Sequence, residues 1–438
     1  MKKPLFFLIL FLGLNVNLWA MARRPPQKKQ PEPKPVTLSL TLMDAYQLAL
    51  KRSETLAIKK EEVARTLAGF LEASGEAVGD FDFEITDSRQ DPQKAVTSSS
   101  STSNSLRAET RERVFVYSQP LFQGFKAVGA LTGAGSLKKQ RQGEWRRAKQ
   151  LLFVDVVNSF YEYLKLQKDI EIIQGILHLF DDRIKDLKAW EDIGRTRPSE
   201  VASARSRAEV FNADLAKSKG DLAVAKNLLA FLVGMVLGPE ELIDEKTPTA
   251  ADENLNIFER VQKRPDVEAS RQAVKTARSN LMIAQSELWP TITLDGDIYD
   301  HREGTQSGIS WDTLVTFKVP LGKGGTTIGK VRDALSQWRE AKFTRSLTER
   351  TAEREIRDAF DNWKTAADRY QALEKALEAS QENFTLQSKE YQRRLVSNLD
   401  VLEALQSLFE TKRDANEAFY DMKKNYWRLE VAKGNCCS

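Results

Sequence analysis

The chain is poor in the side chains that most enzyme chemistry needs. Its 438 residues include only two histidines, His178 and His301, and two cysteines, Cys436 and Cys437, both within the last three positions. Adjacent cysteines in a tail cannot staple a fold of this size, and without nearby ligands they make a poor metal site. No P-loop and no histidine-rich cluster appears. No cofactor, no metal and no catalytic residue is therefore expected, and the chain is not read as an enzyme. Gly322-Lys-Gly-Gly-Thr-Thr327 has the composition of a phosphate loop but lacks the spacing. It repeats Phe122-Gln-Gly124 in an equivalent strand-to-helix turn, which accounts for its glycines. Charge of one sign is also missing. The formal net charge is +4, but Lys2 and Lys3 and the five bases of Arg23 to Pro35, set against Glu32, leave the rest at about −2. Bulk electrostatics give no reason to propose a nucleic-acid partner.

Long hydrophobic runs are absent apart from Leu5 to Val16, which is too short to span a bilayer. With Lys2 and Lys3 before it and Ala20-Met21-Ala22 after it, residues 1–22 read as a secretory signal peptide cut after Ala22. The alternative is a retained anchor. No cysteine follows the apolar core, so a lipoprotein anchor is not indicated. Residues 23–37, rich in Pro and Lys, read as an extended tether.

Proline is also absent from 121 to 197. That interval is rich in Ala, Leu, Lys, Gln, Arg and Glu, which lose little side-chain entropy in a helix. A helix from Phe125 to Ile193 would be about 100 Å long. Its apolar positions, Val156, Phe160, Tyr163, Ile170, Ile173, Leu177, Phe180, Ile184 and Leu187, step by threes and fours around one skipped site, Gln167. This spacing marks a packed helical seam. Moving 200 positions on gives Ile356, Phe360, Trp363, Tyr370, Leu373, Leu377, Ser380, Phe384 and Gln387. The same offset maps Tyr117 to Phe317, Pro120-Leu121 to Pro320-Leu321, Gly124 to Gly324 and Gly234 to Gly434. The chain is an internal duplication.

The first repeat spans 38–237. It opens with a helix capped by Thr41 and Asp44 and expected to continue to about Ala77, broken only by small residues near its end. A strand near 80–87 places Phe81, Phe83 and Ile85 on one face and Asp80, Asp82, Glu84 and Thr86 on the other. A serine-rich polar loop containing Thr97–Ser103 leads to a second strand near 110–118, then a turn through Ser118–Gly124 into the long helix. Gly194 ends that helix and Pro198 starts the next, which runs to Val233 with a seam of Val201, Ala204, Ala208, Phe211 and Leu215. Residues 238–255 form a connector. The second repeat, 256–434, carries strands near 291–300 and 309–319, and 435–438 is a tail. Four ten-residue strands with one apolar face suit an outer-membrane barrel. Four cannot close a barrel and open edges are not viable in lipid, so three chains, supplying twelve strands, are expected. A small soluble sheet capping a helical bundle is the alternative.

Taken together, Leu40-Thr-Leu-Met-Asp-Ala45, Gln119-Pro-Leu-Phe-Gln-Gly124, Gly194-x5-Glu200-Val201, Arg264-Pro-Asp-Val267 and Asp400-Val-Leu-Glu403 resemble the TolC family of outer-membrane efflux and secretion channels. The resemblance covers Leu38 to Gly434. It implies a mainly α fold with a membrane β-barrel portion. Long coiled-coil-like helices would form an α-barrel, and four strands per protomer would complete a twelve-stranded barrel in a homotrimer embedded in outer-membrane lipid. The implied function is a passive exit duct of a tripartite efflux pump or type I secretion system, working with a periplasmic adaptor and an inner-membrane transporter. By position, the adaptor-contacting tips are Gly194, Arg195, Thr196, Arg197 and Pro198, and Arg394, Val396, Ser397 and Asn398 in the second repeat. Asp400 and Glu403 match the family's acidic ring, Tyr391 its tyrosine nine residues earlier, and Glu200 is the matching acid of the first repeat. These four are the expected pore constriction. The usual glycine of the second turn is Arg394, and the usual basic residue two positions on is Val396, a departure in the closing network. Asp400 and Glu403, after Ser397-Asn398, would equally well stabilise a helix N-terminus.

A secreted coiled-coil structural or interaction protein without a channel is the competing reading. It accounts for the helices but not for the alternating strands or the duplicated turns.

Overall fold

The structure, a computed structural model, describes residues 40–89, 109–236, 242–244, 256–303 and 307–435. The expected signal peptide, the tether, the Thr97–Ser103 loop, the tail cysteines and most of the connector lie outside the described residues. In order, the elements are α1 (Leu42–Arg52), α2 (Glu54–Val78), β1 (Asp80–Arg89), β2 (Glu109–Gln123), α3 (Lys126–Asp192) and α4 (Pro198–Val233). The pattern then recurs as α5 (Ile257–Lys263), α6 (Pro265–Ser286), β3 (Thr291–Arg302), β4 (Trp311–Lys318), α7 (Thr326–Gln392) and α8 (Asn398–Ala432). α3 and α7 have 67 residues each, which makes rods of about 100 Å. Among the described residues no helix is long and apolar enough to cross a membrane.

Two expectations are corrected. The first helix is not continuous: it breaks at Ser53, whose backbone is extended and whose side chain accepts from the Leu56 amide to start α2. The second repeat breaks at the equivalent place, where Arg264 is extended and Pro265 opens α6. A proline cannot continue a helix without losing a hydrogen bond; a serine achieves the same break by capping. The second strand does not turn at Ser118 either. β2 continues to Gln123, with a register shift between Pro120 and Phe122. An irregularity is where a strand tolerates a residue with no amide hydrogen.

The four strands pair antiparallel in the order β1-β2-β3-β4. The register aligns Phe83, Phe115, Ile298 and Trp311 in one row and Asp82, Val116, Asp297 and Asp312 in the next. Because side chains alternate across a sheet, one face is aromatic and aliphatic and the other carries carboxylates. The apolar face is open: Phe81, Trp311 and Phe317 are each about two-thirds exposed. β1 and β4 have no outer neighbour among the described strands.

α3 is the central rod. α2 and α4 pack on it as one stack, α6 and α8 as another, and α7 packs against α6 and α8. Each stack is joined in the same way. At Gly234 (φ +75°) an added Cβ would meet the Arg52 side chain at 2.0 Å, and at Gly434 (φ +81°) the nearest group is Arg264, at 3.7 Å. The core has two main parts. Tyr46, Phe153, Phe160, Tyr161, Leu229 and Tyr420 join α1, α3, α4 and α8 at mid-length. Ile173, Phe180, Leu187, Val201, Phe211, Leu402 and Phe409 fill the half away from the strands. Between them Asp169, almost fully buried, accepts two bonds from Arg413 and one from Ser218, tying α3, α8 and α4 together. The seam is buried at five of its nine positions along α3 but at only two along α7, where Phe360, Tyr370, Leu377 and Phe384 are half-buried and lack a second flanking stack.

Candidate functional site at the helical tip

The two helix-to-helix turns lie at the end of the rods farthest from the sheet. α3 ends as Gly194 enters the left-handed region (φ +70°), with its amide donating to Glu191 O and the Arg195 amide to Trp190 O. Pro198 then opens α4. The second turn has the same geometry, but the left-handed residue is Arg394 (φ +65°), and the Leu395 amide donates to Glu390 O. Ser397 caps α8: its Oγ accepts from the Asp400 amide, while Asp400 Oδ2 accepts from both the Ser397 amide and hydroxyl, each at 2.7 Å. Those bonds hold the Asp400 carboxyl below the usual carboxylate range.

Behind the turns, side chains from four helices converge. Trp190 stacks on Tyr391 with ring centroids 5.3 Å apart. The Arg183 guanidinium lies 3.8 Å from the Tyr391 ring centroid, and its Nε and Nη2 donate to Asn398 Oδ1 at 3.1 and 2.8 Å. The Tyr391 hydroxyl donates to Glu200 Oε2 at 3.5 Å. Burial pushes the Tyr391 phenol up, so it stays a neutral donor at neutral pH. Burial lowers the Arg183 guanidinium, and Tyr391, Asp186 and Glu200 counter that shift. A cleft of about 340 Å³ opens beside this cluster, lined by Trp190, Thr196, Glu200, Tyr391, Arg394 and Asn398 among others.

The structure thus brings together two of the expected constriction residues, Tyr391 and Glu200. It does not bring Asp400 and Glu403 to them. Both are exposed and neither lines the cleft; Asp400 is held in the cap. Val396 packs on the apolar core rather than joining a polar network. Of the tip residues, Arg195, Arg197, Pro198, Arg394 and Ser397 are exposed, whereas Asn398 is buried with its Oδ1 bound by Arg183. Arg183 and Trp190 were missed in the sequence. Trp190 extends the seam by one step of three beyond Leu187, a signal that was available. Arg183 sits beside seam residue Ile184 with nothing local to set it apart from other surface arginines of the helix.

Residues 258–435 match the family model described as outer membrane efflux protein. The Vibrio cholerae outer membrane protein TolC is 22% identical over 338 residues, covering 73% of this chain and 75% of the relative. The Escherichia coli cation efflux system protein CusC is 22% identical over 375 residues, 80% of each chain. In fold, a CusC crystal structure superposes with a TM-score of 0.80 over 94% of this chain and 99% of that one, at 19% identity. The Vibrio cholerae outer membrane protein VceC superposes with a TM-score of 0.77, covering 90% and 96% at 20% identity. The match follows the whole element order described above, rods and strands together, and these similarities support a TolC-family assignment for this chain.

Proposed function

We propose that three copies assemble into the working duct, with the apolar sheet face against outer-membrane lipid and the rods extending through the periplasm. The supporting observation is the four-stranded sheet, which exposes its apolar face and leaves the outer edges of β1 and β4 unpaired among the described strands. Each open edge would pair with the edge of a neighbouring copy, because unpaired backbone groups are not tolerated in lipid. The same arrangement would cover Phe343 and Leu347 on α7 and Leu67 and Leu71 on α2, all exposed on opposite flanks of one protomer. The duct is passive: an inner-membrane transporter supplies energy and chooses the substrate, and a periplasmic adaptor docks on the tip turns. The Tyr391, Arg183, Glu200 and Asn398 cluster keeps the tip closed.

The docking is tested by photo-crosslinkers at Arg197 and Ser397, which are expected to capture the adaptor in intact cells. Efficient capture from a mid-rod site such as Lys165, with none from the turns, rejects it.

Asp400 and Glu403 distinguish a pore role from a capping role. If three copies set them at the narrowest point, the ring favours cations over anions. The paired change Asp400→Asn and Glu403→Gln removes charge and keeps size. In planar bilayers it is expected to weaken cation selectivity and to relieve block by divalent cations. Unchanged selectivity and block in an assembled trimer assign both acids to the helix end alone and make Glu200 the next residue to exchange.

A further inference from the structure

The apex carries arginine without local neutralisation. From 193 to 199 and again from 393 to 399 the chain has four arginines and no acid: Arg195, Arg197, Arg393 and Arg394. All four are exposed, and none joins an ion pair among the described residues. The nearest carboxylates are set back or engaged. Glu191, Asp192 and Glu390 lie on the last turns of the rods, Glu200 accepts from Tyr391, and Asp400 is tied to Ser397.

One of the four is also held at a backbone cost. Arg394 has φ +65°, where the equivalent residue of the first repeat is Gly194 at φ +70°. That conformation strains a residue with a Cβ and leaves glycine unstrained. The chain places a guanidinium where its own duplicate shows that glycine suffices, so the charge, not the turn, calls for the residue. Four arginines per chain make twelve around a trimer.

We propose that this basic apex recognises an acidic partner surface, the tip of the periplasmic adaptor presenting carboxylates to the arginines. The inference rests on the tip-docking reading and adds the chemistry of the contact. A guanidinium pairs with a carboxylate through two parallel N–H···O bonds, which sets orientation as well as attraction. A ring of like charge at the end of a rod also steers an oppositely charged tip during approach.

The test uses the purified trimer and a disulfide-stapled helical hairpin whose turn carries three glutamates, with glutamine and lysine versions as comparisons. The glutamate hairpin is expected to bind about tenfold more tightly than the glutamine one, and its affinity is expected to fall as salt rises. The double variant Arg197→Gln/Arg394→Gly is expected to lose about tenfold in glutamate-hairpin affinity. Its thermal stability should hold or rise, because Arg394→Gly relieves the left-handed strain. Equal binding of the lysine hairpin, or unchanged binding by the variant, overturns the proposal. So does a variant that loses binding to phosphatidylglycerol vesicles while keeping the hairpin, since the arginines would then serve a lipid surface. In cells, undiminished Ser397 crosslinking in the variant leaves tip docking standing and removes the charge argument. Absence of tip crosslinking in the unmodified protein removes both.

Discussion

Exchange of Arg183 for methionine is expected to open the closed tip. Arg183 reaches from α3 to both elements of the second hairpin, covering the Tyr391 ring and donating twice to Asn398 Oδ1. Methionine fills similar volume but can neither donate nor carry charge, so Asn398, otherwise buried, loses its partner. A hydrogen bond from a charged donor is worth about 1.5–3 kcal/mol. Loss of that amount from the closed state alone shifts the closed-to-open ratio by about tenfold or more. Single-channel recordings should show longer and larger open events, and cells should become more sensitive to bulky antibiotics normally excluded. Arg183→Lys should recover part of the closure, because it restores charge over the Tyr391 ring but not the two-point bond to Asn398. A methionine variant with wild-type conductance would show that the cluster braces the tip without gating it. Tyr391→Phe is a milder change, since the hydroxyl it removes makes a long bond to Glu200, at 3.5 Å.

The second large effect concerns the joint between α5 and α6. The Arg264 side chain is 1% exposed, and its Nε and Nη2 donate to Asp266 at 3.0 and 2.6 Å while Nη2 also reaches Glu355 at 2.6 Å. Arg147 from α3 donates to the same Glu355 at 3.3 Å, so α3, α6 and α7 meet in one charged knot. Breaking a buried pair by removing one partner usually costs 3–5 kcal/mol. Glu355 is 39% exposed and Arg147 remains to share the load, so Arg264→Met is expected to cost roughly 2–3 kcal/mol. The readout is a lower unfolding temperature in mild detergent; an unchanged temperature refutes the estimate. pH gives an independent check. Burial pushes the Asp266 carboxyl up, but the bonds and charge of Arg264 and Arg147 outweigh it, and the net position is below the ordinary value. A depressed carboxyl contributes stability that is present above its unfolded pKa, about 4, and is lost as pH falls through the folded value. The native protein should lose heat resistance below about pH 4, and Arg264→Met should show less of that acid dependence.

Much of the architecture was legible in residue order alone because its two periods are strong. Threes and fours from Val156 to Leu187, with no proline from 121 to 197, admit little but a rod, and strict alternation at Phe81, Phe83 and Ile85 admits little but a two-faced strand. The offset of 200 that carries Tyr117 to Phe317 and Gly234 to Gly434 revealed the duplication and, with it, the two turns at the tip. The break at Ser53 was visible only through its counterpart Pro265, since serine is compatible with both a helix interior and a cap. The length of β2 depended on pairing with β3 beyond Pro120, which no local propensity encodes.

Sequence by itself determined the rods, the strands, the duplication and the position of the turns, because these rest on local periodicity and on residues such as Gly194 and Pro198 with restricted backbone choices. Tertiary structure alone decided which copies of the same pattern are buried. The seam of α3 lies between two stacks and is covered, while the matching seam of α7 has one stack and stays half-exposed. It also decided which polar groups meet: Arg183, Asn398, Tyr391 and Glu200 come from four helices and two repeats, as far as 215 positions apart in the chain. Distances of that kind are set by how the rods pack, and no spacing along the chain records them.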